Sequence, residues 1–299
     1  MTSHRCSAAL VLLVGWSLAS TAGAATLTPL VEPASPEHHI GKIVFAELVT
    51  PDLGAAKKFY GGLFGWTFRD TTIGTTDYAE ASLNGHQVGG LVRRDSPTAG
   101  EPRQPSWIEF LAVVDVDAAA KAALQGGAKL LSPPHAVPGR GREAVFADPQ
   151  GAVFAVLASS SGDAPDSLAA AGEWIWSSLS TSDPETSAAF YQTLFDYDVF
   201  DLPADPSAQH LMFASESFAR ASANTLATNM PKSRPHWLGY VRVDDMSKSI
   251  TKVAALGGRV LVEPRVDRHG GRVAVVADPA GAAFGLLEWK AGDSFEVGE

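Results

Sequence analysis

A set of aromatic, glycine and aspartate landmarks occurs twice in this chain, and that duplication limits the fold more than any other feature. Phe59-Tyr60-Gly61-Gly62-Leu63-Phe64-Gly65-Trp66 returns as Phe190-Tyr191-Gln192-Thr193-Leu194-Phe195-Asp196-Tyr197. Trp107 returns as Trp237, and Gly126-Gly127 as Gly257-Gly258. The run from Ala147 through Asp148-Pro149-Gln150-Gly151 to Phe154 returns as Ala277 through Asp278-Pro279-Ala280-Gly281 to Phe284. Order and spacing both hold, so the chain contains two copies of one domain. The copies are expected at 40–158 and 172–290, with a Gly/Ser/Pro-containing linker at 159–171, another linker at 25–39 and a tail at 291–299.

Within a copy the hydrophobic period switches between two and 3.6. Residues 44–49 alternate as a strand, and Asp52 is placed to cap a helix whose apolar positions are Ala55, Ala56, Phe59, Tyr60, Leu63 and Phe64. Strands are expected at 78–83 and 87–93. The second half starts again with a strand at 107–113 and a helix at 117–125, which stops at Gly126-Gly127. A hairpin follows, with strands at 143–147 and 153–157 around the turn Asp148-Pro149-Gln150-Gly151. Each domain is therefore α+β, built from two strand-helix-strands halves.

Composition narrows the chemistry. Arg5, an apolar run of about a dozen residues and then Ala22-Gly23-Ala24 read as a signal peptide over 1–24, since a membrane span needs roughly 20 apolar residues. The expectation is a periplasmic or secreted protein with no stable membrane insertion after cleavage. Cys6 is the one cysteine, so the mature chain is expected to have neither disulfides nor thiolate chemistry. A formal charge of -10 argues against nucleic acid as partner and favours a small molecule.

The Phe-Tyr-x-x-Leu-Phe-Gly-Trp and Asp-Pro-x-Gly signatures, with the strand-helix-strands order repeated in each domain, resemble the vicinal oxygen chelate superfamily, which includes glyoxalase I-like enzymes, extradiol dioxygenases and bleomycin-binding proteins. The resemblance implies curved sheets closing round a cup. It also implies a divalent metal held near the starts of the first and fifth strands and in the eighth. Here those positions fall on Phe45, Ile108 and Ala155 in the first domain and on Trp176, Leu238 and Gly285 in the second. None has a ligating side chain, so no metal or other cofactor is expected.

An aromatic cup remains. If Val44, Ala46 and Leu48 face the helix, then Phe45 and Glu47 enter the first cup, with Phe110 across from them, and Trp176 and Tyr240 line the second. Glu47 in such a place would have a raised pKa and the makings of a general base. Arg242 on the cup face would need an anionic partner, and His236 stands at a strand start beside Trp237. Phe45, Glu47, Phe110, Trp176, Tyr240, Arg242 and His236 are thus the expected ligand-binding residues, and no catalytic residue is assigned. Alternation turns Glu109 outward. Arg140, Arg142, Arg265, Arg268 and Arg272 gather at hairpin loops, where they would be solvated or would grip a carboxylate or phosphate. The expected function is small-molecule binding by paired cups without the usual metal. The alternative is a metal-dependent lyase, isomerase or dioxygenase with ligands displaced to Glu47, His86, Glu109, His210 or His236, the only setting in which a divalent metal is expected. Whether the domains pair with each other or with a second copy stays open.

Overall fold

Alternation in the first strand settles which side of the sheet is which. The computed structural model describes residues 26–94, 105–202, 209–226, 234–266 and 270–289; the expected signal peptide, the tail at 291–299, Arg268 and His269 lie outside them. In β1 (Ile43–Thr50), Ala46 and Leu48 sink into the helix-side core. α1 (Leu53–Phe64) follows, with Asp52 Oδ1 accepting from the Ala55 amide at 2.9 Å. It ends at Gly65, whose φ of 79° lies in the left-handed region that glycine enters without strain. Asp196 takes the same turn in the second copy with φ 55°.

The first domain continues through β2 (Thr67–Ile73), β3 (Thr76–Leu83), β4 (His86–Arg93), β5 (Ser106–Ala112), α2 (Val116–Gln125), β6 (Lys129–Val137), β7 (Gly141–Ala147) and β8 (Val153–Ser159). The second repeats the order as β9 (Trp174–Thr181), α3 (Pro184–Phe195), β10 (Asp198–Asp201), β11 (His210–Ser215), β12 (Phe218–Thr225), β13 (His236–Val243), α4 (Met246–Ala255), β14 (Arg259–Val266), β15 (Arg272–Ala277) and β16 (Ala283–Glu288). Each domain is one curled eight-stranded sheet, ordered β2-β3-β4-β1-β5-β8-β7-β6 and β10-β11-β12-β9-β13-β16-β15-β14. The two halves of a domain join along an antiparallel seam, β1 to β5 and β9 to β13.

Two strands carry no clear sequence signal, because both are sheet edges. β2 alternates weakly and mostly faces water, and β6 contains Pro133 and Pro134. An edge strand tolerates the missing amide donors, and the register of β6 against β7 shifts on either side of Ser132. Val44 also departs from expectation. An irregularity between Ile43 and Phe45 moves it off the helix side to pack near Phe45 and Phe110.

The helix-side cores are shared between domains. The first half of domain one, with Trp107 from β5, and the second half of domain two bury one cluster together, including Phe59, Tyr60, Val276 and Phe284. The other two halves, with Trp237 from β13, bury a second, including Phe146, Phe154, Phe190 and Tyr191. The duplicated landmarks meet at this boundary. Trp107 Nε1 donates to the Tyr60 hydroxyl at 2.9 Å, which donates to Asp278 Oδ2 of the other domain at 3.3 Å. Trp237, Tyr191 and Asp148 repeat the relay at 2.9 and 3.1 Å. Each aspartate also secures its own turn, Oδ1 of Asp148 accepting from the amides of Gln150, Gly151 and Ala152.

Glu109 faces away from the cup, as alternation indicated, and lies buried in this boundary, 3% exposed. β5 turns it to the helix side, where the Ser177 hydroxyl donates to Oε2 and Oε1 occupies the space that Gly239 leaves. Burial pushes its pKa up to about 7, against the opposing Ser177 hydrogen bond. The stability linked to this group is present below the ordinary value of 4.5 and is lost as pH rises through about 7. Glu109→Gln keeps an acceptor for Ser177, so urea unfolding should show the variant gaining on the parent between pH 5 and 8, by up to about 3 kcal/mol. A difference that does not vary with pH would refute this account.

Candidate functional site

The concave faces of the two sheets carry the polar side chains, and the two cups have different contents. In the first, Phe45 and Phe110 are directly paired across the seam with ring centroids 5.5 Å apart, edge to face, beside Ala155 and Leu157. The Arg140 guanidinium lies 3.9 Å from the centre of the Phe45 ring. Around it stand Glu47 from β1, Tyr78 and Glu80 from β3 and Glu143 from β7. A side chain at Gly90 would collide with the Tyr78 hydroxyl and crowd Phe45, so that glycine makes room for the tyrosine. Burial raises the Glu47 carboxyl well above the usual carboxylate range; Glu143 raises it further and Arg140 opposes. Glu143 is also raised by burial against the pull of Arg140. Such a pair exchanges protons near neutrality, which suits acid–base work.

The first cup is covered by the chain itself. Leu27, 2% exposed, packs among Tyr78, Val92 and Val137, and Leu30 reaches the Phe45–Phe110 cluster. The Leu27 amide donates to the Pro138 carbonyl at 2.9 Å, the Thr28 amide to Glu80 Oε1 at 2.6 Å and the Val31 amide to Ser161 Oγ at 3.1 Å. The stretch read as a linker therefore forms a strap across the cup, because Leu27 and Leu30 find a buried apolar wall.

In the second cup Trp176 and Tyr240 face each other across the β9–β13 seam, both half-buried. Ser178 replaces the Glu47 of the first cup. Asn224 Nδ2 donates to Ser178 Oγ at 2.6 Å, and the Asn224 carbonyl oxygen is hydrogen-bonded to His210 Nδ1. Ser222 Oγ donates to Ser178 Oγ and accepts from Trp176 Nε1, both at 3.3 Å. A short polar chain thus runs along one wall beneath two aromatic rings. A side chain at Gly285 would strike the Tyr240 ring, so the floor is shaped by that glycine.

The expected residues do not all meet. Phe45, Glu47 and Phe110 share the first cup, and Trp176 and Tyr240 the second. His236 stands at the rim, with Nδ1 donating to the Arg234 carbonyl at 2.7 Å. Arg242 pairs with no carboxylate among the described residues; it donates to the carbonyls of Trp289 (3.2 Å) and Ala169 (2.7 Å) and so ties the interdomain segment to the end of β16. Arg142 is exposed on Asp117, whereas Arg140 is buried. Alternation in β3 places Tyr78 and Glu80 opposite Ala79 and Ala81, a signal that could have added both to the first cup. Arg140 had no such signal, since its burial depends on the distant strap.

The usual metal positions hold Phe45, Ile108, Ala155, Trp176, Leu238 and Gly285, and these do not fit a metal. The displaced set does not converge either. Glu47 is in one cup, His210 and His236 belong to the other domain, Glu109 is between domains and His86 is exposed. Among the described residues, His39, Asp166 and Glu216 form one group spaced for a cation, outside both cups. Its carboxylates are already engaged, Asp166 with Lys42 (2.9 Å) and Arg220 (2.6 Å), and Glu216 with Arg220 (3.0 Å). A surface groove of about 560 Å³ beside α1 is lined by Asp52, Lys57, Asp70, Asp77 and Arg93 and reaches Tyr78 of the first cup, and its Lys57 pairs with Asp70 at 2.8 Å.

Comparison with known proteins agrees with this architecture. The family pattern of the Glyoxalase/Bleomycin resistance protein/Dioxygenase superfamily matches residues 38–156, and that of a Glyoxalase-like domain matches 176–287. CFP32 of Mycobacterium tuberculosis (strain CDC 1551 / Oshkosh), whose name assigns it provisionally as a glyoxylase, is 31% identical over 260 residues, covering 86% of this chain and 98% of that one. The anthracycline biosynthesis protein DauV of Streptomyces sp. (strain C5) is 31% identical over 266 residues, covering 83% and 93%. The Mn(II)-bound glyoxalase of Novosphingobium aromaticivorans superposes with a TM-score of 0.60 at 18% identity, covering 84% and 83%. An extradiol ring-cleaving dioxygenase from B. fuscum gives 0.60 at 14%, covering 90% and 77%. At those identities the two structures establish the fold alone.

The strap makes a measurable claim. Leu27→Ala should lower the free energy of unfolding by about 2–3 kcal/mol in a denaturant titration, the cost of emptying a buried leucine site. A freely moving linker would give a change within about 0.5 kcal/mol.

Proposed function

Because this chain belongs to the Glyoxalase/Bleomycin resistance protein/Dioxygenase superfamily, we propose that it is an exported member that binds a small, partly aromatic or apolar molecule in its second cup without the usual metal. One observation carries this reading. The first cup is closed by the strap, while Trp176 and Tyr240 stay half-buried above the Trp176–Ser222–Ser178–Asn224–His210 chain. Two facing rings offer flat apolar area, and the chain beneath supplies a few fixed polar contacts. The substitutions at all six ligand positions support recognition by shape and stacking. The leader-like composition of residues 1–24 supports export.

The anthracycline connection of the relative DauV suggests a planar polycyclic probe. Titrated with an anthracycline, the full mature protein should show saturable quenching of tryptophan fluorescence. Trp176→Ala should weaken that binding about 10- to 100-fold with little change in overall fold, as the loss of a central aromatic contact does. Equal affinity in the variant, or no saturable binding, would sink the proposal for the second cup. Export is tested separately by sequencing the amino terminus of the protein made in its own cells: the proposal requires a start near Ala25, and retention of Met1 contradicts it.

A further inference from the structure

Two arginines at the start of β7 show the same edge of the guanidinium in opposite circumstances. Arg142 directs Nε and Nη2 at the two oxygens of Asp117, both at 2.8 Å, in open solvent. Arg140, 2% exposed, holds its Nε and Nη2 inside the first cup, where among the described residues neither has a hydrogen-bond acceptor. Glu80 Oε1 is 3.8 Å from Nη2, too far for a hydrogen bond, and the Glu80 oxygens are taken by the Thr28 amide and by Arg69. The Tyr78 hydroxyl, on a side chain 1% exposed, sits between Glu47 and Arg140 and among the described residues meets neither at good hydrogen-bond geometry, so its interactions with both are weak.

Two buried guanidinium donors without acceptors among the described residues are costly to maintain, at about 1–3 kcal/mol for each polar group. Stacking on Phe45 recovers part of the cost for the cation but satisfies no N–H. Charge around the group also leaves room for an anion. Arg69, Arg94 and Arg140 stand against Glu47, Glu80 and Glu143, and burial holds two of those carboxyls partly protonated. The Nε/Nη2 edge matches the two oxygens of a carboxylate, as Arg142 demonstrates in the same molecule.

We propose that Arg140 and Tyr78, with Glu47 and Glu143 opposite, form a closed site for a small carboxylate that also carries a hydroxyl or amino group. The carboxylate lies on Nε and Nη2 of Arg140 and accepts from the Tyr78 hydroxyl. The second group donates to Glu47 or Glu143. Phe45 and Phe110 leave little depth beneath, so the molecule is small, and the strap lifts for it to enter. This site is independent of the second cup and of any metal.

Arginine Nε–H resonances of ¹⁵N-labelled mature protein, titrated with lactate, with propanoate and with chloride at equal ionic strength, test the proposal. Lactate should shift one Nε–H resonance saturably, propanoate should bind about tenfold more weakly for want of the hydroxyl, and chloride should have no saturable effect. The resonance should vanish in Arg140→Lys. Tyr78→Phe, which removes only the hydroxyl, should weaken lactate about tenfold and keeps the test alive if Arg140→Lys does not fold. No saturable shift with either carboxylate, an equal shift with chloride, or undiminished lactate binding by Tyr78→Phe would overturn it.

Discussion

The structure depends on a tyrosine hydroxyl that accepts from one domain and donates to the other. In Trp107–Tyr60–Asp278 and in Trp237–Tyr191–Asp148, indole and phenol come from one copy and carboxylate from the other. Each relay lies inside a cluster of buried aromatics contributed by both domains. Its polar atoms are thereby satisfied where water is excluded, and the aspartates brace the turns that support β8 and β16. The recurring landmarks of the sequence are the parts of this boundary, which leaves the concave faces free to diverge.

That division explains what was legible. The fold followed from periodicity and from motifs whose meaning is local: Asp52 as a cap, Gly65 as a left-handed turn, Asp148-Pro149-Gln150-Gly151 as a hairpin. The cup-facing parity of Phe45, Glu47, Phe110, Trp176 and Tyr240 also followed, because a strand has only two sides. The misreadings concern surfaces made by distant chain. Glu109 was read correctly as facing away from the cup, but alternation identifies a side of the sheet and not what covers it; here a second domain does. Arg140 looked like a loop cation until residues 27–30 closed over it. Arg242 looked like a ligand-seeking charge, yet two backbone carbonyls meet its need.

The two cups show how far equivalent positions can separate. Glu47 became Ser178 and Phe110 became Tyr240, so one copy keeps a buried set of ionisable groups and the other a neutral hydrogen-bonded wall. The strap reinforces the contrast, since it covers Glu80 and Arg140 of the ionisable set, and burial strengthens the electrostatic interactions there.

Sharing both cores across the domain boundary has a mechanical corollary. Among the described residues neither sheet has a helix-side core of its own, so the pair is expected to melt as one cooperative unit even though the chain reads as two modules. A nick in the segment around 164–171 would break the covalent link but leave each half holding the partner surface of the other. Separately made halves would then associate by fragment complementation, with the peptide connection serving mainly to raise their local concentration.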